Sequence, residues 1–329
     1  MKKFFAMIMV VAMMAAFASV AFAADVTLPG EGLVANYTFD KAEDGLKVIG
    51  DASSIKYENG KAVFTGGAGL VSDVDMGKFE ALSVVFTVEA TADVTRTSWP
   101  FVIDGDDPAS WDTHTMVGFN MNANDFRSYV APAQNIWCNG CWAGYDGDAA
   151  APFTKAGQTH TVVVTVGYQE KGMQHSKGED KGEDTGLFHS LYVDGTMVEN
   201  WCLHNGDDYN ITLKDVIGEK AWLFIGMSAF VGGDATEYGE FSENIAVDNL
   251  AVYNRALTAE EAKAASAGAP TTYTAPTVNA AKISAPKFGT QSADKPGDDH
   301  AGKTGFATIA LAVVAVSSGA YVVSKKRSK

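Results

Sequence analysis

The sequence lacks the short motifs in which most nucleophilic, metal-dependent and nucleotide-dependent enzymes carry their chemistry. It has no G-x-S-x-G nucleophile elbow, no H-E-x-x-H zinc motif, no phosphate-binding loop and no dinucleotide fingerprint. Its six histidines are scattered along the chain without the close spacing of a metal site. These absences favour a protein that binds its ligand over one that transforms it.

Closely spaced catalytic carboxylates are also missing. A retaining glycosidase needs two carboxyl groups about 5 Å apart, which a β-strand can supply through a tight alternation such as E-x-D-x-x-E. No predicted strand carries that pattern, and Glu219, Glu240 and Glu243 stand apart in contexts typical of solvated surface. A hydrolase activity would therefore have to use catalytic residues that no sequence pattern brings together.

Positive charge is scarce. The chain has 25 Lys and Arg against 40 Asp and Glu, a net charge of −15. The net charge becomes −17 without Lys2 and Lys3, and −21 when the four cations of residues 324–329 are also set aside. Such a surface repels polyanions, so nucleic acid and anionic lipid surfaces are not expected as partners. The charge suits solubility outside a cell or capture of cations.

The first 23 residues have the pattern of a secretory signal peptide. Met1-Lys2-Lys3 is followed by an apolar run that ends on Ala21-Phe22-Ala23, an A-x-A cleavage site. We therefore expect a mature protein that begins near Ala24 and folds outside the cytoplasm.

The last residues predict a membrane anchor. Residues 306–323 contain no charged side chain and would span roughly 27 Å as a helix, which matches a bilayer core. The basic residues 324–329 follow directly and predict a cytoplasmic tail, which places the N-terminal domain outside the cell membrane. Residues 268–305 are rich in Ala, Pro, Thr and Gly and are predicted to be a linker, which leaves 24–267 as one domain.

Alternation of apolar and polar residues predicts a domain made almost entirely of β-strands. One short helix is expected from Thr258 to about Ala265, because Thr258 and Glu261 form a capping box. Asp194-Gly195 predicts a tight hairpin turn, and the polar stretch 169–186 is predicted to be a solvated loop. Many short strands with little helix predict an all-β, two-sheet antiparallel sandwich. The predicted strands are 33–39, 61–65, 82–88, 115–120, 126–130, 161–168, 187–193, 196–198, 222–228 and 244–253.

The end of this domain carries a specific string, AVDNLAVYNRALTAEE, at residues 246–261. It resembles the closing strand and short helix of laminin G-like, concanavalin A-like jelly-roll domains. Residues 32–40, 81–88 and 160–195 fall where that family has an opening strand, a core strand and a long hairpin. The resemblance implies a two-sheet jelly roll that binds glycans or protein ligands, in some members with calcium.

The C-terminal region resembles the anchors of surface proteins from Gram-positive bacteria. It has the spacer, the apolar helix and the basic tail of such anchors, but it lacks the LPxTG sortase motif. We therefore expect a retained membrane helix instead of covalent attachment to the cell wall.

Cys138-Asn139-Gly140-Cys141 is the sharpest local feature of the middle of the chain. A redox role would need a helix N-terminus beside the thiolate, and no helical pattern follows. Asn-Gly favours a turn that brings the two cysteines within disulfide distance, with Cys202 as a competing partner. A structural disulfide is the predicted role, since the domain is exported.

Aromatic residues crowd around that turn. Trp rings can stack on sugar faces while polar neighbours bind the hydroxyl groups. Trp137 and Trp142 flank a loop rich in Gly and Asp, where a buried ring would have little to pack against. The predicted ligand-binding residues are Trp137, Trp142, Tyr145, Asp146 and Asp148.

Acidic loops raise a calcium alternative, because hard cations take several oxygen ligands from short loops. The candidates are Asp104, Asp106, Asp107 and Asp112, with Asp207 and Asp208 as a second group. Neither loop fits an EF-hand, and plain turns have the same composition.

The sequence therefore predicts a cell-surface binding or adhesion module without enzymatic activity. Its expected partner is an extracellular glycan, with a surface protein or a structural role in the cell envelope as the alternative.

Overall fold

The computed structural model describes residues 28–105, 116–131, 141–204, 207–230, 237–268, 276–286 and 288. Within these ranges the chain forms 17 strands and two α-helices, joined by turns and short 3-10 segments. The helices are α1 (Leu213–Ile217) and α2 (Ala259–Ser266). The strands are β1 (Leu33–Tyr37), β2 (Leu46–Gly50), β3 (Ile55–Glu58), β4 (Lys61–Thr65), β5 (Ala68–Ser72), β6 (Leu82–Ala90), β7 (Ser98–Gly105), β8 (Met116–Asn122), β9 (Asp125–Ala131), β10 (Trp142–Asp146), β11 (Thr159–Ser176), β12 (Glu179–Val193), β13 (Thr196–Cys202), β14 (Ala221–Ile225), β15 (Met227–Phe230), β16 (Glu237–Phe241) and β17 (Glu243–Tyr253).

The strands form two large antiparallel sheets and one small hairpin. Sheet A has eight strands in the order β12-β13-β11-β6-β17-β4-β3, with β1 beside β17. Sheet B has seven strands in the order β10-β9-β8-β7-β14-β5-β2, and β15 pairs with β16. The predicted two-sheet antiparallel sandwich is confirmed.

The main core lies between the two sheets. Phe86 of sheet A packs edge-to-face on Phe101 and Phe119 of sheet B, with ring centroids 5.3 Å apart in both pairs. Phe119 in turn contacts Phe126 at 4.9 Å. All four rings are fully buried, and burial of one such side chain contributes roughly 1.5–3 kcal/mol. This aromatic layer fixes the inward face of both sheets.

The predicted helix and hairpin turn are confirmed. The Thr258 side chain accepts from the Glu261 backbone and the Glu261 carboxylate accepts from the Thr258 backbone, so both bonds of the capping box form at the start of α2. Asp194 and Gly195 both have positive φ, 50° and 78°, and connect β12 to β13 directly. Alternating apolar residues and local turn chemistry determined these elements.

The polar stretch 169–186 is not the loop that its composition predicts. It continues β11 and β12 as one long ladder, closed by a turn at Lys177 and Gly178 with φ of 51° and 88°. Past a register shift after Gln169 the end of β11 also pairs with β13, where Ser176 lies opposite Glu199. Backbone pairing on two sides holds a strand whose side chains are mostly solvated.

Part of the predicted linker packs on the domain. The Ile283 N–H donates to the Asp73 carbonyl at 2.7 Å, and the Trp222 indole N–H donates to the Ser284 carbonyl at 2.9 Å. Ile283, together with Ala285 and Phe288, covers an apolar cluster on the outer face of β2, β5 and β14. A few apolar residues therefore suffice to bind this part of the predicted linker to the domain.

None of the helices in the described part of the chain is long and apolar enough to cross a bilayer. The predicted signal peptide, the predicted membrane helix at 306–323 and the basic tail lie outside the described residues.

Candidate functional site

The outer face of sheet B over β7 to β10 carries a cluster of polar and aromatic side chains. Strand alternation places Phe119 and Phe126 in the core, so their neighbours Asn120 and Arg127 point to the opposite face. Asn120 and Arg127 are directly paired across β8 and β9. We call this cluster the outer-face site, and its residues are Trp99, Asn120, Asp125, Arg127, Tyr129 and Trp142.

Arg127 contacts three other residues of the outer-face site. Its Nε donates to the Tyr129 hydroxyl at 2.6 Å, and one Nη lies 2.7 Å from an Asp125 carboxylate oxygen. Its guanidinium carbon lies 5.2 Å from the Tyr129 ring centroid and 5.4 Å from that of Trp142. Both distances are within the range of a cation–π contact, so the guanidinium is held between two rings and one carboxylate.

Trp142 is the exposed member of the cluster. It is 44% exposed, and the other exposed large apolar side chains among the described residues are Tyr168 and Met173, which lie in sheet A. Trp142 lies opposite Tyr129 across the β9–β10 ladder. One face of the indole is supported by Arg127, and a large part of the ring remains open to solvent.

Edge strand β10 is held in place by sheet A. The Gly144 N–H donates to the Glu199 carboxylate at 2.6 Å, and the Ser176 hydroxyl donates to the same carboxylate at 3.1 Å. A Cβ on Gly144 would lie 2.5 Å from the Phe126 carbonyl oxygen, so the close approach requires glycine. These contacts fix the strand that carries Trp142.

Asn120 contributes an unsatisfied acceptor. Its side chain is 4% exposed, and its Oδ1 has no hydrogen-bond partner among the residues that the structure describes. The Asn120 Nδ2 donates to the Tyr129 hydroxyl at 3.5 Å. The Oδ1 atom has no solvent-accessible surface, so it costs the fold about 1–3 kcal/mol and lies out of reach of a ligand on the outer face.

Two pKa values are raised by burial at this face. Burial raises the pKa of Tyr129 to about 12, against the opposing effects of Arg127 and Asn120. Burial also raises the pKa of Glu240, which the neighbouring Trp99 and Arg96 partly offset. The Trp99 ring lies 5.9 Å from the Tyr129 ring, so Glu240 borders the same cluster. Tyr129 therefore stays neutral at physiological pH and serves as a hydrogen-bonding group.

The structure separates the predicted ligand-binding residues. Trp142 and Asp146 lie on the outward face of β10, and Asp146 lies opposite Asp125. Asp148 is exposed in the 3-10 turn that follows. Tyr145 points to the opposite side, where its ring stacks on Phe153 at 4.4 Å and packs against the main core. Alternation along β10 explains why Tyr145 does not share the face of Trp142. Trp137 lies outside the described residues.

No disulfide joins the two described cysteines, Cys141 and Cys202. Cys202 is buried on β13, and Cys141 directly precedes β10. Cys138 lies outside the described residues, so a bond from it to either of the others stays a prediction.

The calcium prediction is also untested. Asp104 is 4% exposed on β7, and Asp106, Asp107 and Asp112 lie outside the described residues. Among the residues that the structure describes, no three acidic, His or Cys side chains form a group that could hold a metal ion.

Two of the histidines in strands, His160 and His189, are hydrogen-bonded sheet residues. His189 is fully buried, and its Nε2 lies 2.6 Å from the Ser128 hydroxyl of the other sheet. His160 Nδ1 lies 2.7 Å from the Asp194 carboxylate at the hairpin turn. The Ser128–His189 contact links the sheets inside the core.

Sequence reasoning missed Asn120, Asp125, Arg127 and Tyr129. Residues 126–130 were recognisable as a strand, and the alternation of Arg127 and Tyr129 with buried residues was visible in it. Identifying these residues requires the tertiary structure, because alternation alone does not show which face of a strand other elements leave uncovered.

No protein-family model and no curated protein matches this chain. Solved structures that resemble it include domain 4 of AbnA, an extracellular GH43 arabinanase from Geobacillus stearothermophilus in complex with arabinotriose. That match has 17% identity and a TM-score of 0.41, and it covers 74% of this chain and 99% of that chain.

Two further structures are similar. The CBM40 of Ruminococcus gnavus IT-sialidase, bound to alpha2,3 sialyllactose, is 12% identical with a TM-score of 0.39, covering 63% of this chain and 96% of that chain. Trypanosoma rangeli sialidase is 16% identical with a TM-score of 0.40, covering 72% of this chain and 33% of that chain. These likenesses assign no function to this chain.

Proposed function

We propose that this chain is a non-catalytic, extracytoplasmic binding module that takes a carbohydrate ligand on the outer-face site. The observation that carries the proposal is Trp142, a half-exposed indole supported from one side by Arg127. The chain would display this domain at the cell surface, held by the apolar segment 306–323.

An exposed indole beside polar groups suits a sugar. The apolar C–H face of a pyranose or furanose ring packs on an aromatic ring, and its hydroxyl groups need donors and acceptors at the rim. Arg127 has N–H groups beyond the two bonded to Tyr129 and Asp125, since a guanidinium has five. The Asp125 carboxylate, whose side chain is 18% exposed, supplies an acceptor. The site therefore offers a stacking surface together with both kinds of hydrogen-bonding group.

We assign the domain to the laminin G-like jelly rolls on the string at 246–261. Its Tyr253, Arg255 and Glu261 link the last strand to α2, because the Arg255 guanidinium pairs with the Glu261 carboxylate at 2.7 and 2.8 Å. The Arg255 guanidinium also lies 5.8 Å from the Tyr253 ring. These residues therefore stabilise the end of the domain, and their role is consistent with a fold that is used for binding.

The test is a glycan array probed with the purified chain and with Trp142→Ala. If the ligand covers one face of the exposed ring, the contact buries on the order of 50 Å², worth about 1.3 kcal/mol at 25 cal/mol per Å². The variant should therefore bind about tenfold more weakly. Tyr168→Ala is the matched control, since Tyr168 is a more exposed aromatic residue in the other sheet.

Binding to no glycan, or equal loss in both variants, would overturn the proposal. Capture of a surface protein in the absence of glycan binding would instead establish the protein-binding alternative. Thermal unfolding of each variant shows whether a loss of binding comes from loss of the fold.

A further inference from the structure

We infer that the ligand of the outer-face site is a neutral, hydroxyl-rich sugar, and that a sugar acid is disfavoured there. The inference rests on the proposed carbohydrate function and adds the class of sugar. It follows from two features of the site: the charge of Arg127, which Asp125 already neutralises, and the further carboxylates beside that pair.

Arg127 is the natural group to bind a sugar carboxylate, but its charge is already compensated. Asp125 lies 2.7 Å from one Nη, and both side chains are only 18% exposed. An incoming carboxylate would have to share the guanidinium with Asp125 at close range, which places two like charges in one partly desolvated site. A hydroxyl group of a neutral sugar can accept from the remaining N–H groups without that repulsion.

The surroundings add negative charge. Asp146 lies directly opposite Asp125 in the β9–β10 ladder, and Asp148 follows in the next turn. Charge near the site therefore repels an anion at distances shorter than the Debye length of about 8 Å in physiological salt.

The experiment compares neutral oligosaccharides with analogues in which the C6 hydroxymethyl group is oxidised to a carboxylate. The full purified chain is titrated with each pair by calorimetry at low salt and at 0.5 M NaCl. We expect the neutral member to bind at least about tenfold more tightly at low salt. The ratio should shrink at high salt, because screening weakens the repulsion of the acid.

Asp125→Asn tests the cause. It keeps the size of the side chain and removes the charge that neutralises Arg127, so the preference for the neutral member should narrow or reverse. Asp44→Asn, which removes an exposed carboxylate in the loop after β1, should leave the ratio unchanged. Thermal unfolding of both variants confirms that the ratio is measured on folded protein.

The outcomes separate the two claims. Preference for the acidic member, lost in Trp142→Ala, would overturn this inference and leave the carbohydrate function standing. A neutral preference that Asp125→Asn does not change would also overturn it, because the compensated charge of Arg127 would then play no part. Absence of any glycan binding would refute both claims together.

Discussion

The ion pair between Arg255 and Glu261 should contribute measurable, pH-dependent stability. The two carboxylate oxygens of Glu261 lie 2.7 and 2.8 Å from the guanidinium, and one of them also accepts from the Thr258 backbone at 2.9 Å. The hydrogen bond from Arg255 is the largest of the effects that lower the pKa of Glu261 to about 2 from its ordinary value of 4.5.

The magnitude follows from that shift. A difference of about 2.5 pKa units corresponds to an upper bound of roughly 3.4 kcal/mol. Both side chains are partly solvated, with 24% and 30% exposure, so screening reduces the expected contribution to about 1–2 kcal/mol. A carboxyl group with a lowered folded-state pKa stabilises the fold above its unfolded pKa of about 4.5. That stability is lost as the pH falls from there toward 2.

Glu261→Gln isolates this contribution, because glutamine can still complete the capping box with Thr258. Urea unfolding followed by tryptophan fluorescence should show a loss of about 1–2 kcal/mol at pH 7 that shrinks between pH 4.5 and 2. Glu260→Gln is the control, since Glu260 is exposed in the same first turn of α2. A loss that stays constant over this pH range, or an equal loss in the control, would refute the reasoning.

Two further predictions concern stability. Burial raises the folded-state pKa of Asp248 to about 6, against the attraction of Lys61, so ionisation destabilises the fold as the pH rises from 3.8 through 6. After allowance for screening, Asp248→Asn should therefore raise the free energy of unfolding by about 1 kcal/mol at pH 8 in the same urea assay. At pH 3.5 the substitution should not stabilise the chain, and equal stabilisation at both pH values would contradict the prediction. Ile283→Ala should cost about 1–2 kcal/mol and increase proteolysis within 276–286, since Ile283 holds that segment on sheet B. Unchanged cleavage there would show that the apolar contact does not hold the segment.

Much of the fold could be predicted from the sequence because its signals are local. The alternation of valines in 161–168, the Asp194-Gly195 turn and the capping box at Thr258 each fix a conformation within a few residues. The extended hairpin 169–186 could not be predicted, because its charged residues have no apolar face. Its first strand also pairs with β13, where Ser176 lies opposite Glu199, 23 residues further along the chain.

The candidate site was predictable only in part, for a related physical reason. The polar neighbours of Trp142 in the sequence identify it as a candidate. Asn120, Arg127 and Tyr129 belong to ordinary alternating strands, and the sequence does not show whether another element covers their outward face. On sheet A, α2 covers the outer face with Ala262 and Ala265. On sheet B the apolar face of β2, β5 and β14 is covered by the β15–β16 hairpin and the segment that contains Ile283.

The part of sheet B over β7 to β10 differs from those covered regions in its chemistry. Its outward side chains include a charge pair, a phenol and an amide with an unpaired oxygen, next to an indole with 44% exposure. An apolar cover would desolvate the Arg127–Asp125 pair and would give no acceptor to the Arg127 N–H groups that Tyr129 and Asp125 do not take, at a cost of about 1–3 kcal/mol for each group left unsatisfied. A hydroxyl-rich ligand can accept from those N–H groups and still cover the indole. The composition of this face, more than the architecture of the sandwich, is the reason to expect a sugar here.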